Sequence, residues 1–299
     1  LVFIGPLDAD LAESYGFGQL INYGWWIFRY IGHAIFQFLS LIQQFIPNWG
    51  LAIIVFSIIL KALLYPLSAP QMRASQKMRL LAPQMTAIRD KHKDDMQKQQ
   101  KEIMNLYGEY GVNPMGGCFP TLLQMPILYT LWTVFRTNLN LRQSDFAFWI
   151  HDLSIPDTIV DFGFSFMGLK SISGLALLMG VTMFIQQKLT ITDPRQKSLI
   201  YVMPIMFTLM FSSFPSGLNL YYFMFNLIGI GQQIYINQYS SKTLTLEQMK
   251  QSPKKESWMQ KKMKQAQEMA EMQQKGQLGG PNLSKYMKDP KRRDTKKKK

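Results

Sequence analysis

The sequence predicts an all-α integral membrane protein, with a five-helix transmembrane core, an interfacial amphipathic helix and a cytoplasmic helical hairpin. Three observations predict it. Hydrophobic residues make up 47% of the 299 and gather into five long stretches. The net charge of +14 is concentrated in two segments: residues 240–299 hold 17 Lys/Arg against 6 Asp/Glu, and residues 67–113 hold 8 against 5. Finally, the segments between the apolar stretches alternate between basic and acidic, which places the basic ones in the cytoplasm by the positive-inside rule.

The elements follow in order. Residues 1–23 mix Gly, Pro, Asp and aromatics and read as an extracytoplasmic lead-in. The chain opens on Leu1 with no basic stretch before an apolar core, so the start of the natural chain is expected to lie upstream. Residues 24–46 are apolar but interrupted by Trp26, Tyr30, His33, Gln37 and Gln44. That pattern suits a helix lying in the interface, with a sixth spanning helix as the alternative. Residues 48–67 form the first span, ended by Pro66 and Pro70. Residues 68–113 are charged and Gln-rich with a helical period, and read as the cytoplasmic hairpin. Pro83 is expected to open a turn region, with a break near His92–Asp95 and a close at Gly111–Pro114.

Residues 115–135 form the second span. The periplasmic loop 136–165 follows, acidic through Asp145, Asp152, Asp157 and Asp161. Residues 166–188 form the third span, 189–198 a basic cytoplasmic loop, 199–214 the fourth span and 217–239 the fifth, the last two joined by a tight turn. Residues 240–299 are a basic cytoplasmic tail ending in Lys291-Arg292-Arg293 and four consecutive lysines. Such a run is commonly a solvated end, and its charge equally suits anionic lipid or phosphate.

Catalysis finds no residues to carry it. Cys118 is the sole cysteine, and His33, His92 and His151 are scattered without ligand spacing. There is no phosphate-binding loop, dinucleotide fingerprint or nucleophile motif. The expectation is a non-enzyme without cofactor or metal.

Lys61 is the one ionisable side chain well inside a span. At 1.5 Å per residue it lies about 20 Å from Asn48 and about 7 Å from Pro66. A charge there costs roughly 2.5–3.5 kcal/mol and marks function by default, although a lysine so near a helix end also has the reach to snorkel. Ser57 lies four residues earlier on the same face and makes Lys61 part of a polar stripe. Thr121, Gln124, Gln186, Gln187, Asn219 and Asn226 place polar groups in other spans. Singly these suit interhelical hydrogen bonds; together with Lys61 they suit a wet cavity. No carboxylate lies within a span to neutralise the lysine, so the cavity invites an anionic or carbonyl-bearing visitor. Methionines punctuate the hairpin (Met72, Met78, Met85, Met96, Met104) and the tail (Met249, Met259, Met263, Met269, Met272). They fit promiscuous apolar contact and ordinary packing equally well.

Several stretches closely resemble the YidC family of membrane-protein insertases, related to the mitochondrial oxidase-assembly and chloroplast thylakoid insertases. They are Asn48-Trp49-Gly50, Tyr65-Pro66-Leu67, the run from Val112 through Asn113-Pro114-Met115-Gly116-Gly117 to Pro120, Gln124-Met125-Pro126-Ile127, Phe148-Trp149-Ile150-His151-Asp152-Leu153, Thr192-Asp193-Pro194, Met203-Pro204, and Phe214-Pro215-Ser216-Gly217-Leu218 with Tyr221-Tyr222. The resemblance implies five membrane helices around a hydrophilic groove, open to the cytoplasm and to lipid and closed toward the outside. It implies a substrate groove at Lys61, Ser57, Gln124, Thr121, Tyr222, Gln187 and Asn219, and a hydrophobic slide including Met125, Leu128 and Phe207. The family commonly places Arg where Lys61 stands; Lys keeps the charge and loses the bidentate fork. Residues 2–6 look like the last strand of the periplasmic β-domain found in family members from bacteria with an outer membrane.

The function so implied is a membrane protein insertase and chaperone of the bacterial inner membrane. Its expected partners are nascent membrane proteins, the Sec translocon, the lipid bilayer and, through hairpin and tail, the ribosome and the signal recognition particle receptor. A folding chaperone acting only downstream of the translocon is the alternative. A small-solute transporter ranks below both, because paired midplane charges and repeated broken helices are missing.

Overall fold

The structure is a computed structural model that describes residues 26–112, 119–137, 141–166, 169–191, 196–241 and 246–251. The lead-in 1–23, Cys118 and the tail beyond residue 251 lie outside the described residues. So do most of the Val112–Pro120 run and the Thr192–Pro194 motif, except for the backbone of Phe119 and Pro120.

Helix α1 (Trp26–Phe45) buries Ile35, Phe36, Leu39 and Ile42, a one-sided helical spacing that packs it against its neighbours. Helix α2 (Trp49–Leu63) begins at Asn48, whose side chain accepts a hydrogen bond from the Leu51 amide at 3.0 Å. Its Ala52, Ile53 and Phe56 are buried in the main core.

The chain then turns by 68° into α3 (Tyr65–Lys91). Pro66 sits in the first turn of α3, where its missing N–H is unpaired in any helix. Pro70 and Pro83 lie inside α3. Neither ends a helix, and the turn expected at Pro83 does not form. Leu81 and Met85 on either side are buried, and packing of that face offsets the lost backbone bond. The break falls at His92–Asp95, and Asp95 caps α4 (Met96–Glu109) through a 2.9 Å bond from the Lys98 amide. Leu81 and Met85 of α3 meet Ile103, Met104 and Tyr107 of α4 in a small second core, distinct from that of the bundle.

Helix α5 (Phe119–Thr137) follows. The segment after it carries the main correction to the expected class, since the chain is not all helical. Strands β1 (Thr158–Phe166) and β2 (Leu169–Ser173) form an antiparallel hairpin, with Asp161 opposite Ser171 and Thr158 opposite Ser173. The third apolar stretch therefore starts its helix α6 (Gly174–Thr190) at residue 174 and not at 166. The alternation Phe162, Phe164, Phe166 has the period of a strand, and the aromatic residues favour one.

A cap fixes the boundary. Ser173 Oγ accepts from the Ala176 amide at 3.1 Å, and Asp157 Oδ2 accepts from the Leu175 amide at 2.8 Å and from Trp149 Nε1 at 3.0 Å. The Ser173 hydroxyl donates to Asp157 Oδ1.

Helix α7 (Lys197–Phe211) and helix α8 (Ser216–Ser241) are joined by a short turn. Ser216 Oγ ties that turn to the 152–155 loop, donating to the carbonyls of Asp152 at 2.6 Å and Ile155 at 2.8 Å. With Leu141, Ile150 and Leu153 buried beneath it, this end of the bundle is closed. Asn48 Nδ2 reaches the Asp145 carbonyl at 3.4 Å, so α2 starts at this closed end and runs toward the other. A six-residue helix, α9 (Leu246–Gln251), is the last described element.

Among the described residues no single helix is long and apolar enough to cross a membrane. Helices α2 and α3 meet that requirement only together, across their bend. Helix α7 is apolar, but its 15 residues extend about 22 Å, short of a hydrocarbon core of about 30 Å.

Candidate functional site at Lys61

Lys61 lies in the last turn of α2, at the end of the bundle opposite the sealed loops. Its side chain does not reach out to solvent: the residue is 4% exposed. The ammonium lies over the face of the Phe225 ring, 3.6 Å from its centroid. It makes no ion pair with a carboxylate among the described residues. A desolvated cation–π contact is worth about 2 kcal/mol, which offsets only part of the burial cost of the charge.

Gly229, one helical turn beyond Phe225, makes room for this arrangement. A Cβ there would lie 3.2 Å from Lys61 Nζ and 2.9 Å from Gln186 Nε2, so the ammonium and the amide converge on the notch that the glycine leaves.

Polar groups continue along the same side of α8. Asn226, Gly229, Gln232 and Gln233 recur at the three- and four-residue spacing that puts them on one face. Asn226 Nδ2, Gln232 Oε1 and, on α6, Gln187 Oε1 are buried without a hydrogen-bond partner among the described residues. A buried polar atom left unpaired costs about 1–3 kcal/mol. Three such atoms on α6 and α8, the helices that flank the Gly229 notch, describe a surface that gains by receiving water or a polar chain. Beside it, a cavity of about 470 Å³ lined by Ala62, Tyr65, Gly231, Gln232 and Tyr235 opens at the α2–α3 bend.

The expected groove residues divide. Lys61 stands at the centre, and Gln187 lies in the last turn of α6. Ser57 is fully buried, but its hydroxyl donates to the Ile53 carbonyl at 2.7 Å and is satisfied within its own helix. Gln124 Nε2 donates to the Tyr221 hydroxyl at 3.0 Å, and Tyr222 packs edge-on against Phe211 with centroids 5.3 Å apart. Asn219 is not brought to the ammonium. It is buried at the closed end, where its Nδ2 donates to Ser173 Oγ and to the Phe211 carbonyl, both at 3.2 Å. Ten residues separate it from Gly229, about 15 Å along α8. The side chain of Thr121 lies outside the described residues.

Of the expected slide residues, Leu128 and Phe207 are half-buried against the main core and Met125 is exposed. Phe225, Gln186 and Gly229 complete the ammonium site. Gln186 was among the polar span residues expected to line a cavity with Lys61, whereas the sequence signal for Phe225 and Gly229 was only that they stand four residues apart on one apolar helix.

Comparison with known proteins places the chain in a family. A family model described as "60Kd inner membrane protein" matches residues 41–243. The chain belongs to the YidC family. The membrane protein insertase YidC of Prosthecochloris aestuarii is 40% identical over 248 residues, which cover 80% of this chain and 42% of that protein. Its counterpart in Syntrophobacter fumaroxidans is 41% identical over 242 residues, 80% of this chain and 43% of that one. The chain thus spans about two fifths of the length of these YidC relatives. A solved structure described as an active YidC insertase with its first transmembrane domain resolved superposes with a TM-score of 0.56 at 29% identity. That match covers 76% of this chain and 51% of the solved one. Like the family, the chain is a membrane protein with a mostly helical architecture.

Proposed function

We propose that the chain is the membrane core of an insertase and chaperone for membrane proteins, and that Lys61 is the group which draws the client in. The YidC family and the insertase function carried in the names of its relatives support the class. The burial of the Lys61 ammonium over Phe225, with no carboxylate partner among the described residues, is the observation that carries the mechanism.

In this reading α2, α5, α6, α7 and α8 cross the bacterial inner membrane and α1 lies in its outer interface. The α3–α4 hairpin and the tail stand in the cytoplasm. A nascent membrane protein lays a short polar segment against Lys61 and the unpaired amides of Gln187, Asn226 and Gln232. The cation attracts acidic residues in that segment, and the amides accept and donate hydrogen bonds that lipid does not supply. Helices as short as α7 thin the surrounding bilayer and shorten the dry part of the crossing. The client's apolar helix then leaves sideways past Met125, Leu128 and Phe207 into lipid. Burial of its apolar surface at about 25 cal/mol per Å² supplies the drive, so no nucleotide or other cofactor is required. The Sec translocon is the proposed companion in the membrane, and the hairpin and tail the proposed receivers of the ribosome and the signal recognition particle receptor.

The test is insertion of single-span clients with acidic outer segments into liposomes containing the full chain. Lys61→Ala is expected to lower insertion, Lys61→Glu to lower it further, and Lys61→Arg to retain it. Normal insertion by both the Ala and Glu variants overturns the attraction by charge. Normal insertion combined with failed assembly of clients already in the bilayer favours a chaperone working only after the translocon.

A further inference from the structure

The second core of the molecule contains a residue from outside the hairpin that builds it. Met249 of α9 is 1% exposed, inserted among Leu81, Met85, Ile103, Met104 and Tyr107, and Leu246 packs beside it. The pair is spaced by three residues and so presents one face of the short helix. Lys250, the next residue, holds Glu109 of α4 at 3.0 Å. A helix of six residues is not stable alone in water, because too few backbone bonds offset its nucleation. Leu246–Gln251 is therefore helical because it is seated, and its seat is the methionine-rich face between α3 and α4.

This seat closes a mechanical circuit. Helix α3 leaves the bundle at the bend three residues beyond Lys61, and its near end is pinned by Ser75 Oγ to the Thr190 carbonyl at 2.7 Å and by Gln76 Nε2 to the Ile236 carbonyl at 3.4 Å. Helix α8 leads through residues 242–245 into α9, which returns to the same hairpin beyond those pins. We propose that Leu246–Gln251 is an intramolecular latch, occupying an apolar seat on the hairpin and bracing it against the end of α8. The braced hairpin holds Tyr65 opposite Tyr235, the two aromatic walls of the cleft beside Lys61. Release of the latch removes the brace between the hairpin and the end of α8, while the bend, the two pins and the chain connection to α5 remain. The tail thereby governs the width of the cleft without touching it.

Hydrogen exchange on the full chain in lipid nanodiscs tests this. Protein ending at residue 251 is expected to protect residues 96–112 as the full chain does. Protein ending at residue 241, and the full-length Met249→Asp variant, are expected to exchange there about tenfold faster, the factor set by about 1.4 kcal/mol of docking. Met249→Leu keeps the seat filled and is expected to restore protection. Unchanged exchange at 96–112 in the protein ending at 241 overturns the latch. Equal acceleration in residues 49–63 overturns it as well, since a general loss of packing then explains the result.

Discussion

Lys61 and Gly229 define the site between them, and each is informative because of what the other permits. Gly in a helix interior normally weakens it by about 1 kcal/mol relative to Ala, so on propensity alone Ala is the better residue at both 229 and 231. The structure separates the two positions. A Cβ at 231 meets nothing within 4 Å, whereas at 229 it meets the Gln186 amide and the Lys61 ammonium. Gly231→Ala is therefore expected to raise the thermal midpoint. Gly229→Ala is expected to lose that gain, to push the ammonium off the Phe225 ring and to reduce insertion of acidic clients. Equal stabilisation by both changes would show that the notch is not used.

The closed end depends on how single elements start. Asp157 gathers the indole of Trp149, the hydroxyl of Ser173 and the amide of Leu175, and thereby joins the acidic loop, the β-hairpin and the first turn of α6. Hydrogen bonds to a charged group are worth about 1.5–3 kcal/mol each, and their shared acceptor is buried. Asp157→Ala is expected to destabilise the protein by at least about 2 kcal/mol, read as a lower thermal midpoint.

On α8, Tyr221 is fully buried and its hydroxyl is the partner of Gln124. Tyr221→Phe removes that partner and is expected to cost about 1 kcal/mol, the net worth of one hydrogen bond. At the latch, the Glu109 carboxylate pushes the Lys250 ammonium above its ordinary value of 10.5. A raised value means that this pair contributes fully below that pH and is lost only as the pH rises through it, so the latch is insensitive to pH around neutrality. The pair is exposed and screened. Lys250→Ala is thus expected to affect protection of 96–112 far less than Met249→Asp does.

Across the whole molecule, Lys61 is kept at a cost to stability. A buried cation with no counter-ion destabilises a bundle that an apolar side chain of similar length would fill. Lys61→Met is expected to raise the thermal midpoint while lowering insertion. A variant that loses both would instead mark the ammonium as a structural support.

Much of this organisation was legible in the sequence, and what was missed has physical causes. Composition and charge determined by themselves that the chain is a membrane protein with a basic hairpin and tail, because the requirement to hide apolar surface and the asymmetric placement of Lys and Arg act segment by segment. Lys61 stood out for the same reason: a charge within an apolar run is visible without its neighbours. Only the tertiary structure decided that residues 158–173 pair as strands, because the capping by Asp157 comes from across the loop. Only it decided that α3 passes through Pro83, because the packing that offsets the lost bond lies on α4. The same holds for Asn219 at the closed end and for Phe225 and Gly229 around the ammonium. A polar side chain in a helix declares that it needs a partner, but which partner it finds depends on how the helices are turned against one another.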